Sequence, residues 1–88
     1  MVDLNETIRR YTEEDRREED RRIRQLRRLV DFSMALIAQS DISLNDAQRL
    51  VQGVRRRASE LFPGKDETFE LIYIPRFRRL MSEKYGLQ

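Results

Sequence analysis

Arginine is the residue type best placed to do chemistry in this chain, and it comes in clusters. Arg21-Arg22-x-Arg24 with Arg27-Arg28, Arg55-Arg56-Arg57, and Arg76-x-Arg78-Arg79 hold most of them. Sixteen of the eighteen basic residues are Arg, whose planar fork of donors suits phosphates and carboxylates. Arg24, Arg28, Arg55, Arg56, Arg76 and Arg79 are therefore candidate nucleic-acid or anion contacts, provided helices bring parts of all three clusters to one side. The plainer reading is a set of solvated faces. Consecutive residues point ~100° apart on a helix, so each run is divided between faces. Glu18, Asp20, Glu60, Glu70 and Glu83 are interspersed, and Phe77 is the one aromatic among the basic residues that suggests base stacking. A helix-turn-helix can be forced onto the second helix capped by Ser43, but its turn signals are ordinary.

Catalysis has little to work with. The chain holds no Cys and no His, which removes disulfides, Cys/His metal sites and imidazole or thiol chemistry. Carboxylate chemistry would remain, but no calcium-loop pattern or paired Glu supports it. Three glycines, Gly53, Gly64 and Gly86, are too few and too scattered for a phosphate-cradling loop. The sequence thus points to a non-enzymatic protein with no cofactor and no metal. The Met1–Glu6 start lacks the basic-then-apolar plan of a signal peptide, which implies a cytoplasmic setting. Acids mixed evenly among the basic residues argue against a membrane-surface helix. The longest apolar run, residues 29–38, is about half of the ~20 residues a bilayer span needs.

The elements that carry these residues are all helical. Residues 1–20 hold four Arg and eight acids, net −4, whereas residues 21–88 hold fourteen basic residues and eight acids, net +6. The first stretch reads as a charged, partly helical extension that frays toward Met1, and the second as a three-helix domain. Two capping signals compete, Asp3 with Glu6 and Thr12 with Asp15. Glu13–Arg17, Glu18–Arg22 and Asp20–Arg24 are i,i+4 pairs, each worth ~0.2–0.5 kcal/mol, enough to support a solvated helix but not to fold one. Leu4, Ile8 and Tyr11 have helical spacing, but the seam then meets Asp15, Glu18 and Arg22, which are not coiled-coil core residues.

From Ile23 an apolar stripe of Ile23, Leu26, Val30, Ser33 and Ile37 defines a long first helix, roughly 12–39. A second helix over 44–62 follows an N-cap at Ser43, with Ala47, Leu50, Val51, Val54, Ala58, Leu61 and Phe62 inward. Gly53 in its interior suggests close approach of another helix. Pro63-Gly64 stops it. A third helix over 67–85, capped by Asp66 and kinked at Pro75, uses Phe69, Ile72, Tyr73, Phe77, Leu80 and Met81. The fold expected is all-α, with three helices packed as antiparallel neighbours through short loops.

Apolar residues on more than one face of the third helix, and all round residues 32–38, exceed what a small bundle hides. Surplus of this kind marks an interface, most often a two-fold homodimer. The candidate self-association surface is Phe32, Leu36, Leu71, Ile74, Phe77, Met81 and Tyr85. The core or the interface should also take Leu29, Val30, Ile37, Leu50, Val54, Phe62, Phe69, Ile72 and Leu80. Function is therefore expected to be helical protein–protein interaction through self-association, with nucleic-acid binding as the alternative. Another protein as partner is a third option. The acidic extension is suited to tune that association by lying along basic helices, in a salt-sensitive way.

Overall fold

A computed structural model describes residues 3–87, and within them the chain forms four helices and no strand. These are α1 (Leu4–Gln39), α2 (Leu44–Leu61), α3 (Asp66–Ile72) and α4 (Ile74–Tyr85). Expected fraying toward Met1 falls largely outside the described residues, and from Leu4 onward the chain is helical.

The first helix starts at Leu4 and not near residue 12, because the earlier of the two capping signals is the one used. The Asp3 side chain accepts from the Asn5 backbone N–H at 3.0 Å. Thr12 lies inside the helix and donates its hydroxyl to the Ile8 carbonyl. No Gly or Pro interrupts Leu4–Gln39, and Glu6–Arg10 and Glu18–Arg21 pair along its surface. At 1.5 Å per residue α1 is ~54 Å long. Its ending is satisfied from two sides. Ser40 returns its N–H and hydroxyl to the Leu36 carbonyl, and the Lys84 ammonium, arriving from α4, binds the carbonyls of Ile37 and Ser40. A cation at this end also favours the helix dipole.

Ser43 caps α2, its hydroxyl accepting from the Asp46 N–H at 3.1 Å. Gly64 turns the chain with φ +80°, a conformation that favours glycine. Asp66 is the first residue of α3 and not its cap. Lys65 stands at the cap position without a side-chain bond, and Asp66 and Glu67 supply acids to the first turn.

The expected kink at Pro75 is a break. Helix α3 ends at Ile72, Tyr73 links the two, and Pro75 sits in the first turn of α4. There its missing N–H is one that no helix bond needs, so the ring costs nothing. Stopping after two turns of α3 re-phases the apolar face. Ile74 turns inward at 4% exposure, while Ile72, expected in the buried stripe, is left 53% exposed.

The core is one cluster. Leu26, Val30 and Ile37 of α1 meet Val51, Val54, Ala58 and Leu61 of α2, and Phe69, Ile74, Phe77 and Met81 close it. Ser33 is buried within it. Arg76 lies 3.9 Å from Asp31 while Lys84 reaches the end of α1, so α4 follows α1 in the same sense. Nothing approaches the Cβ position of Gly53 within 4 Å, so the close helix crossing expected there is absent among the described residues.

Candidate functional site

The seven residues expected to form an association surface divide into two groups. Phe32 and Leu36, one turn apart on α1, are exposed, and so is Leu71 on α3, at 79%. Ile74, Phe77 and Met81 are core residues instead. The break after Ile72 rotates α4 so that these three face α1 and α2. Tyr85 is also turned inward, half-buried, its hydroxyl donating to the Ile42 carbonyl at 2.8 Å. Ile72 adds exposed apolar surface beside Leu71.

What spacing alone did not assign to a surface is the start of α1. Every described residue from Leu4 to Arg21 is exposed, a length of ~27 Å with no neighbour in its own chain. Leu4, Ile8 and Tyr11 project from it at helical spacing. Steps of three and four carry this row through Asp15, Glu19 and Arg22 to Leu26, Val30, Ser33 and Ile37. The exposed seam is thus the buried seam of the same helix, extended past the body. Its signal was present in the sequence, masked by the three charged residues in the middle.

Among the arginines, Arg24 and Arg28 are exposed on α1, Arg56 on α2 and Arg79 on α4. Arg55 is taken up by Glu70, with Nε to Oε1 at 2.7 Å and a second bond from the other arm of the fork at 3.2 Å. Arg76 lies between the Asp31 carboxylate and the Tyr73 ring. Arg57 pairs with Glu60. Arg22, half-buried, places its guanidinium 5.6 Å from the Phe62 ring centroid, covering the end of the core. Its expected partner Glu18 bridges to Arg21 instead.

An open groove of about 530 Å³ runs between α2 and α4. Its floor is the outer edge of the core, Val51, Ile74, Phe77 and Met81, all buried, and its rim carries Gln52, Arg78 and Arg55, the last already held by Glu70. No acid is among its lining residues. Elsewhere among the described residues no cluster of acids gathers as metal ligands, and no helix is long and apolar enough to cross a membrane. No protein-family model matches the chain, and no curated protein or solved structure matches it.

Proposed function

We propose that this chain is a non-enzymatic helical interaction module that self-associates as a homodimer. One observation carries the reading. The first 18 residues of α1 pack on nothing in their own chain, yet they present Leu4, Ile8 and Tyr11 in one row. Helices in proteins owe most of their stability to packing an amphipathic face, and this face has no packing partner within the subunit. Phe32, Leu36, Leu71 and Ile72 add further apolar surface on the body. In this reading residues 1–20 are the contact arm and residues 21–88 the body, with consecutive helices as antiparallel neighbours. A cytoplasmic setting suits a chain without cysteine.

Light scattering and sedimentation across a concentration series test it. A mass rising from one chain to two is the expected result. An interface of micromolar strength, about 8 kcal/mol, would be populated at ~100 µM, so a strict monomer there refutes self-association.

A second reading rests on a different face of the same helix. Arg17, Arg21, Arg24 and Arg28 recur at steps of four, three and four on the side of α1 opposite its buried row, and all are exposed. A row of this kind binds phosphates through charge, so affinity for duplex DNA or RNA should fall steeply with salt. Replacing Arg24 and Arg28 by Gln should lower the salt slope by about two. Absence of binding at low salt disposes of this reading.

A further inference from the structure

We infer that two copies pair antiparallel along the whole of α1, so that the exposed start of each helix lies on the exposed edge of the other's body. The inference rests on the homodimer reading above and names its surface.

Two apolar groups on α1 lack cover within the subunit. Leu4, Ile8 and Tyr11 stand on the free start of the helix, and Phe32 and Leu36, with half-buried Leu29, on the edge of the body. Strict alternation of steps of four and three joins the two groups. From Tyr11 it runs through Asp15, Glu18, Arg22 and Gln25 to Leu29, Phe32 and Leu36. This is a heptad seam, distinct from the buried row. A seven-residue repeat drifts ~20° per heptad around a straight helix, so over four heptads it turns ~80°. The drift carries the seam off the line of Leu26, Val30, Ser33 and Ile37 and onto the side of α1 where Phe32 is left 67% exposed.

Spacing and charge select the direction. The first group steps four then three, and the last steps three then four. Reversing one copy therefore sets Leu4 on Leu36, Ile8 on Phe32 and Tyr11 on Leu29, each twice, about a two-fold axis near Asp20. The same register places Asp15 against Gln25 and Glu18 against Arg22. Within the subunit Glu18 gives one oxygen to Arg21, and the buried Nε of Arg22 makes no hydrogen bond. Beside the seam Glu14 meets Arg28 twice, and like charges meet only next to the axis, Glu19 with Glu19 and Arg21 with Arg21. A parallel pair would instead stack Asp15, Glu18 and Arg22 each on its own copy, within the seam itself. Polar residues at seam positions fix register at a cost in stability.

Pairing of the tips alone, Ile8 on Ile8 with Leu4 on Tyr11, would seal the first group and leave Phe32 and Leu36 bare. Counting the positions that flank it, the full seam brings together about twenty residues a side, close to the ~20–30 of a stable interface, and the tips fall far short of that.

Spin labels on outward positions read the direction. The chain has no cysteine, so full-length Glu6→Cys and Asp20→Cys each carry one label per copy, at exposed positions off the seam. In the antiparallel pair the labels at residue 20 lie level with each other, whereas those at residue 6 lie ~42 Å apart along the pair. Pulsed dipolar spectroscopy should therefore return a much longer distance for Glu6→Cys than for Asp20→Cys. Equal distances mean a parallel pair, and a longer distance at residue 20 means tips alone. Either result refutes the full seam and leaves self-association standing. Phe32→Ser with Leu36→Ser, folding confirmed by circular dichroism, should raise the dimer dissociation constant at least tenfold, as truncating two anchors does. An unchanged constant refutes the seam equally. If the unaltered chain stays monomeric at ~100 µM, both readings fail together.

Discussion

Two single residues sit where local chemistry and tertiary setting disagree. Ser33 is fully buried in the row Leu26, Val30, Ile37, and its hydroxyl has no partner. A buried polar group left unpaired costs about 1–3 kcal/mol. Ser33→Ala should therefore stabilise the chain by about 1 kcal/mol, or ~4–8 °C in melting temperature. A lower melting point would mean that the hydroxyl has found a partner in solution. Gly53 has open space where its Cβ would be and occupies a helix interior. Gly53→Ala should add about 1 kcal/mol, read as a higher denaturant midpoint at constant slope. Loss of stability would show that something does approach that side of α2. The sequence marks Ser33 correctly as part of the inward stripe, since spacing alone places it there. It misleads at Gly53, because a glycine inside a helix has the same appearance whether or not a neighbour crosses it.

At the scale of elements, legibility follows how local the determinant is. The end of α1 at Gln39, the Ser43 cap and the Pro63-Gly64 stop are read within a few residues, and the helices end and begin there. The α3–α4 break has a less local determinant. Pro75 permits either a kink or a new first turn, and what decides is distant: α4 must set Phe77 and Met81 into the core while Lys84 reaches the end of α1. With the break, Ile74 exchanges places with Ile72, and three of the seven residues of the expected association surface, Ile74, Phe77 and Met81, belong to the core. The start of α1 is ambiguous in the sequence for a related reason. Two caps were available, and only continuity of the helix beyond its last tertiary contact selects Asp3. Because nothing from Leu4 to Tyr11 is covered in the subunit, deleting residues 1–11 should leave the monomer's melting temperature within a few degrees at low micromolar concentration. The same deletion should abolish the concentration dependence of the full chain's melting temperature, which calorimetry at two concentrations will show.

Taken whole, the molecule is a rod, 65 × 22 × 16 Å, with a radius of gyration of 17.8 Å. A compact domain of this length would have about 12 Å. Small-angle scattering of dilute protein should return the larger value, and a compact monomer would refute the extended arm. Elution volume alone will overstate the mass of such a rod, so oligomeric state must be read from scattering intensity. This shape also explains why a short chain can present so much apolar surface. Its core needs only the part of α1 after Arg22, and the remainder is free to serve contacts outside the subunit.

An unbroken α1 gears its tip to its base. A single alanine inserted between Arg16 and Arg17 would swing Leu4, Ile8 and Tyr11 by ~100° about the helix axis relative to Leu26 and Val30. Seven would bring them back to within ~20°, but ~10 Å farther out. A hinged tether would be indifferent to either insertion; a shaft obeys the arithmetic of its own pitch.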